Sequence, residues 1–326
     1  MKSAYLQIIR ICNQDCIFCA QPQNGKILSV PEIIKQMIFY KKSSVEKLII
    51  TGGEPTLHKD FLKIVGLAQK FGFKIIIQSN GNQFNNIELV KGLSRFKGLE
   101  FIISLHSHES VIHDQIKRSP GSFEKTKNGL FYLLDNLQDV SIKIAIAINI
   151  YNITSIKDMI ESFIQIFPSV TGFVLNNLDV YNIPKDQYHI VADLPQFDDN
   201  FRDALDKVIK SGRTLNIERI PLCYLKGFEQ YADSLEYILG NDIKYAHYLQ
   251  EDRKSFFLDR DIRTPETAYG KNCQNCDLKK ICGGIPKLGE IYDENDLETQ
   301  TLTPHAFDII LEKYYSINTS VRPNLG

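Results

Sequence analysis

Apolar runs of strand length alternate with amphipathic helical stretches through the first two-thirds of the chain, and no other feature restricts its fold as far. The apolar runs lie at 5–11, 47–51, 74–78, 99–105, 141–150, 172–176 and 214–218. The helical stretches lie at 31–40, 59–71, 87–95, 122–137, 155–167 and 197–211. Helix starts carry the usual signals, with Ser29 ahead of Pro31-Glu32 and Ser155 ahead of Ile156-Lys157-Asp158. Repeated strand–helix alternation predicts an α/β fold, a parallel sheet covered by helices. Near-continuous apolar strands such as Phe101-Ile102-Ile103 fit burial on both faces. An open doubly wound sheet and a closed or partly closed barrel both satisfy the pattern. In either, chemistry gathers beyond the C-terminal ends of the strands.

The 326 residues allow one large α/β domain with an appendage, or two ordinary domains. A hydrophobic content of 43% and a charged content of 24% suit a globular chain that buries its core without disulfides. The net charge of −1 gives no general basis for a nucleic-acid partner, although Lys41-Lys42 and Lys279-Lys280 are local basic pairs. No apolar segment reaches membrane-spanning length, and the first residues lead into a strand rather than a signal-peptide core. The reading is a cytoplasmic protein without a membrane partner. In a reducing compartment the seven cysteines read as ligands, grouped at 12, 16, 19 and at 223, 273, 276, 282.

The first group follows the first strand as Cys12-Asn13-Gln14-Asp15-Cys16-Ile17-Phe18-Cys19. Three close thiols on a tight loop suit one face of an iron–sulfur cluster, leaving one iron open. The same spacing also fits a fragment of a zinc site, or three buried thiols. After the second strand comes Thr51-Gly52-Gly53-Glu54-Pro55, where paired glycines admit close approach to main-chain amides and Glu54 offers a carboxylate to an amine.

Together these stretches resemble the two signatures of the radical S-adenosylmethionine superfamily, CxxxCxxC after strand one and Gly-Gly-Glu-Pro after strand two. The resemblance implies a partial (β/α)6 TIM-like barrel. In it Cys12, Cys16 and Cys19 ligate a 4Fe–4S cluster whose fourth iron is chelated by S-adenosylmethionine. It places Phe18 beside the adenine, Gly52, Gly53 and Glu54 at the methionine amino group, and Pro55 as the residue holding that turn. Ser79, in Ser79-Asn80-Gly81, matches a polar turn near the methionine end. Ser104 matches a ribose or carboxylate contact, and Asn149 a ribose contact. The implied reaction is reductive cleavage of S-adenosylmethionine to a 5′-deoxyadenosyl radical, which abstracts a hydrogen atom from the substrate. An electron donor such as flavodoxin or ferredoxin is implied with it.

The stretch from Leu105 to Glu124 resembles a segment of the MoaA, PqqE and peptide-maturase branch. Its histidines at 106, 108 and 113 read as a polar loop at the barrel mouth rather than a metal site, because no fourth ligand with zinc-like spacing follows. His106 is expected to face the mouth as a substrate contact. Residues 178–196 are long for a connection, and either cover the site or form an excursion packed by their own aromatics.

Beyond residue 219 the pattern changes. Cys223, Cys273, Cys276 and Cys282 supply four thiols, which suit structural zinc or a fully ligated cluster. Cys273 to Gly283 resembles part of the SPASM and twitch extensions, which implies a second, auxiliary 4Fe–4S cluster relaying electrons or fixing this region at the mouth. The expected domains are 1–219, the radical S-adenosylmethionine barrel, and 220–326, the auxiliary-cluster region and tail. The latter is expected to hold helices at 228–239 and 306–316 and a charged stretch at 251–263.

Relatives of this layout modify peptides or build small molecules. The first cysteine at 12 leaves no room for a leader-binding domain, which argues against a peptide. The last residues lack the glycine–glycine tail of the molybdopterin-precursor enzymes, and the auxiliary set has four ligands rather than three. The reading is peptide or protein maturation, with a small-molecule enzyme or a non-enzymatic metal-binding protein as alternatives.

Overall fold

Isoleucine-rich segments build the sheet because β-branched side chains pack well on a pleated surface. The computed structural model describes residues 2–21, 23–239, 244–247, 249, 257–258 and 267–317. Its strands are β1 (Ser3–Gln7), β2 (Lys47–Thr51), β3 (Lys74–Ser79), β4 (Leu99–Ser104), β5 (Ser141–Ile148), β6 (Gly172–Asn177) and β7 (Thr214–Glu218). Between them lie helices α1 (Val30–Lys42), α2 (Phe61–Lys70), α3 (Ile87–Leu93), α4 (Ser110–Lys117), α5 (Ser122–Asn136), α6 (Ile156–Ile166) and α7 (Asp199–Lys210). The start of α1 is fixed as its sequence predicts, with Ser29 N–H donating to Glu32 Oε2 at 2.7 Å.

Each strand from β1 to β7 pairs in parallel with the next in sequence. A doubly wound sheet would reverse its order partway, so this order selects the barrel-like alternative. The sheet continues past β1 with β8 (Lys244–His247), parallel to β1, and β9 (Phe257–Leu258), antiparallel to β8. Among the described residues β7 and β9 are the sheet edges, so the barrel is partial. The expected six βα units are present, and an eighth parallel strand extends them. The sequence reading missed β8 because Lys-Tyr-Ala-His carries no apolar run.

Two further expectations change. The first strand ends at Gln7, and residues 8–11 turn to bond with 24–28, as in Leu28 N–H to Ile8 O at 2.9 Å and Arg10 N–H to Lys26 O at 2.7 Å. The histidine-rich stretch is not all loop, since α4 occupies 110–117. Burial on both faces holds for Ile144–Ile148 of β5, which are all buried, but not for β4. Along β4, Leu99, Phe101 and Ile103 are buried towards the helices, while Glu100, Ile102 and Ser104 alternate with them in partly open positions.

After β7 come α8 (Asp233–Leu239), a short antiparallel pair of β10 (Thr267–Ala268) with β11 (Ile285–Pro286), and α9 (Pro304–Ile317). The charged stretch expected at 251–263 lies outside the described residues apart from β9. No helix among the described residues is long and apolar enough to cross a membrane.

Candidate functional site

The cysteine loop is tethered on two sides by main-chain bonds. Gly53 and Glu54 N–H donate to Ile9 O at 2.7 Å and Ile11 O at 2.9 Å, laying the chain that leaves β1 on the Gly-Gly turn. Opposite, Asp15 and Ile17 N–H donate to Lys117 O at 3.2 Å and Ile116 O at 3.0 Å, satisfying carbonyls that the end of α4 leaves open. Within the loop, Cys12 N–H donates to Gln23 Oε1 at 2.9 Å, and Gln14 Nε2 donates to Ser122 Oγ at 3.0 Å. Asn80 Nδ2 donates to Asn13 Oδ1 at 2.7 Å and lies 3.7 Å from Cys12 Sγ.

Cys12, Cys16, Cys19, Phe18, Gly52, Gly53, Ser79 and Ser104 all line one cavity of about 910 Å³ inside the barrel. Its walls are the alternating inward residues of the strands, from Tyr5 and Gln7 on β1 round to Asn216 and Glu218 on β7. Asp179, Pro184 and Gln187 of the long connection after β6 also reach it, so part of 178–196 borders the cavity.

Glu54, Pro55 and Asn149 sit behind this wall. Glu54 is fully buried and accepts from Thr56 N–H at 3.1 Å, Ser79 Oγ at 2.8 Å and Asn80 N–H at 2.7 Å. It therefore ties the turn after β2 to the end of β3. Burial raises its pKa, against those hydrogen bonds. Pro55 opens the short turn Pro55–Leu57. Asn149 Nδ2 donates to Ala147 O at 3.0 Å, and its Oδ1 accepts from Tyr151 N–H at 3.0 Å, shaping the turn after β5.

The thiols suit an iron–sulfur cluster by their chemistry. Burial pushes the Cys12 thiol up to about 11 and raises that of Cys19, so a bare thiolate is disfavoured there. Coordination by iron supplies the missing positive charge and reverses that preference. Cys12, Cys16 and Cys19 would hold the cluster at the cavity that Phe18 and the Gly-Gly turn also border.

The histidines have other work. His113 accepts from His106 N–H at its Nδ1, at 3.2 Å, and its Nε2 lies 3.2 Å from Ser122 Oγ, the hydroxyl that anchors Gln14. Ala147 N–H donates to His106 Nδ1 at 3.1 Å, which places the His106 proton on Nε2. The His106 ring lines the cavity, with its centroid 5.0 Å from that of Phe18 at 84°. Among the described residues no three His, Cys, Asp or Glu side chains are grouped to hold one metal ion.

Burial, reinforced by Lys117, pushes His113 down to about 2, and His106 falls well below its ordinary value for the same reasons. Folded-state values below the unfolded 6.5 mean that the unfolded chain binds protons the folded chain refuses. The stability from these rings is therefore complete above about pH 6.5 and lost as pH falls below it, by about 1.4 kcal/mol per unit for each ring. Urea unfolding should show about 2–3 kcal/mol less stability at pH 5.5 than at pH 7.5, with roughly half of that drop removed in His113→Gln. An equal drop in the variant would show that His113 takes a proton in the folded state.

The later thiols also converge. Cys223, Cys273, Cys276 and Cys282 line a small, largely apolar pocket with Leu222, Leu278 and Ile285. Burial pushes the Cys223 thiol up to about 12, and the three other thiols add repulsion. Cys223 lies four residues past Arg219, which follows β7 and borders the large cavity, so the second thiol set begins just beyond the β7 end.

Sequence reasoning missed Asn80 as a neighbour of Cys12 Sγ, and Gln14, Ser122 and His113 as anchors of the loop. Adjacency marked Asn80 and Gln14, whereas nothing local marked Ser122 or His113.

Residues 6–163 match the Radical SAM superfamily. An AdoMet-dependent heme synthase of Oleidesulfovibrio alaskensis is 23% identical over 87% of this chain and 82% of its own length. The sporulation killing factor maturation protein SkfB of Bacillus subtilis is 28% identical over 49% of this chain, which spans only 38% of that relative. Among solved structures, Streptococcus suis SuiB bound to its precursor peptide SuiA superposes with a TM-score of 0.63. That match has 15% identity and covers 92% of this chain and 75% of SuiB, a likeness of fold.

Proposed function

Because residues 6–163 are a radical SAM domain and the chain is accordingly a radical SAM enzyme, we propose that it modifies a peptide or protein substrate and carries one auxiliary cluster. Cys12, Cys16 and Cys19 would hold a 4Fe–4S cluster, which when bound would supply the low-potential electron for reductive cleavage of S-adenosylmethionine and hence for hydrogen-atom abstraction from the substrate. An electron donor of the flavodoxin or ferredoxin kind would feed it. The chain's own residues orient and shield this chemistry. Phe18 offers a flat apolar surface to the adenine, the Gly52-Gly53 turn admits the methionine end against the backbone, and Ser79 and Ser104 offer hydroxyls to its polar groups. In the same reading Glu54 and Pro55 hold that turn, and Asn149 shapes the rim after β5.

One observation carries the peptide reading, namely the volume and polarity of the cavity. At about 910 Å³ it lies near the upper end of the range for ligand sites. Its wall opposite the cysteine loop presents Asn176, Gln187, Asn216, Glu218 and Arg219, groups that pair with backbone amides and polar side chains. The likeness to SuiB and to SkfB agrees with this. The heme synthase match favours a second reading, a small-molecule substrate.

The test is anaerobic reconstitution followed by assay of 5′-deoxyadenosine with S-adenosylmethionine and dithionite. A precursor peptide encoded beside the gene should raise product formation at least about tenfold and should itself change mass. Stimulation by small molecules and by no peptide would end the maturation reading.

The auxiliary site is proposed as 4Fe–4S rather than zinc, on four soft thiols converging in an apolar pocket beside the β7 end. In Cys273→Ser/Cys276→Ser, iron should fall from about eight to about four per chain, 5′-deoxyadenosine formation should persist, and peptide modification should be lost. A wild-type content of about four irons with one zinc would overturn the assignment.

A further inference from the structure

Among the described residues Lys117 is a buried cation of the cavity without an ion-pair partner. Lys117 ends α4, is only 2% exposed and lines the large cavity together with Cys12, Cys16 and Phe18. Among the described residues its ammonium has no hydrogen-bond or ion-pair partner. The anions nearby are already engaged: Glu54 accepts from Thr56, Ser79 and Asn80, and Asp15 pairs with Arg118 at 3.6 Å. The two rings beside it, His106 and His113, are neutral. Its backbone is fixed, because its carbonyl accepts the Asp15 N–H of the cysteine loop.

A buried ammonium without an anion is strongly disfavoured, so a fold that keeps one holds it where an anion arrives. Three thiolates around an iron–sulfur core are such an anion, net negative and one unit more so after reduction. We propose that Lys117 is the counter-charge of the cluster held by Cys12, Cys16 and Cys19, favouring its reduced state. The proposal rests on that loop holding a cluster. Lys117 is a positioning residue in this role, acting on the cluster's charge and touching no substrate.

The test compares the reconstituted full chain with K117M, which keeps the volume and removes the charge, and K117R, which keeps the charge. The readout is a redox titration followed by the EPR signal that S-adenosylmethionine perturbs. At a fixed reductant poise, K117M should show a reduced-to-oxidised ratio about tenfold lower, equivalent to about 59 mV for one electron, with K117R within about threefold of wild type. Failure of K117M alone to take up iron, with K117R loading normally, would also support a required charge. An unchanged ratio in K117M overturns the proposal, and weakened S-adenosylmethionine binding alongside it would assign the ammonium to the cofactor's carboxylate instead. Loss of iron from both variants overturns it in favour of packing. A wild-type protein without the perturbed signal would remove the underlying cluster, a failure distinct from that of Lys117.

Discussion

Cys16→Ser should abolish 5′-deoxyadenosine formation, by at least about a thousandfold, while leaving the protein folded and the proposed auxiliary cluster in place. The residue is half-buried on the wall of the large cavity, between Cys12 and Cys19. Its backbone carbonyl accepts Cys19 N–H at 3.0 Å, a bond that serine keeps, so the loop's shape does not depend on the sulfur. Serine oxygen is a hard, poorly acidic donor that does not replace thiolate on iron. A cluster held by two of its three thiols is labile, and the chemistry has no second route because the electron and the sulfonium must meet there. Iron should fall from about eight to about four per chain, the unfolding midpoint in urea should stay close to wild type, and chromatography should find no 5′-deoxyadenosine. The outcome contrasts with that expected of Cys273→Ser/Cys276→Ser, which should remove the same number of irons and spare cleavage. Persistent 5′-deoxyadenosine from a Cys16→Ser chain free of wild-type protein would sink the assignment of this loop.

Much of the fold was legible because the signals are local. Periodicity marked seven strands, and their alternation with helices marked a parallel sheet, while the order of pairing came from the structure. What stayed hidden depends on partners distant in sequence. Strand β8 is defined by its pairing with β1, some 240 residues away, and not by its own composition. Residues 8–11 read as more of β1 because Ile8, Ile9 and Ile11 are apolar, yet their hydrogen bonds go to Thr51, Gly53 and Glu54 and to 24–28. The site divides in the same way. Cysteine spacing and the Gly-Gly turn identify the wall of the cavity without any structure. Glu54 reads from sequence as an exposed ligand, whereas its carboxylate is occupied by Ser79 and Asn80 across two strands. Lys117 carried no signal at all, since a lysine at a helix end is ordinarily a solvated one. Only its burial, without an ion-pair partner among the described residues, sets it apart.

Gly53→Ala carries the second large effect, and it separates space from backbone freedom as the reason for that glycine. A Cβ at 53 would stand 2.4 Å from Ile11 O, 2.7 Å from its carbonyl carbon and 3.2 Å from Cys12 N. All three atoms are backbone, so no rotamer change relieves the overlap. Gly53 also lacks the left-handed φ that would itself require glycine. Relief therefore means pushing the cysteine loop off the turn, which stretches Gly53 N–H to Ile9 O and Glu54 N–H to Ile11 O. Overpacking against a fixed backbone together with two weakened buried bonds should cost at least about 3 kcal/mol in urea unfolding. Whatever fraction folds should load the auxiliary cluster, lack the first one, and fail to bind S-adenosylmethionine. Gly72→Ala is the control, with φ of +72° and nothing within 4 Å of its added Cβ. Strain alone should then cost about 1 kcal/mol, with both clusters intact. Equal losses in the two variants would mean that the turn after β2 does not bear on the cysteine loop as its contacts indicate. A large loss confined to Gly53→Ala, with the first cluster missing, would fix the Gly-Gly turn as the seat against which Cys12 is held.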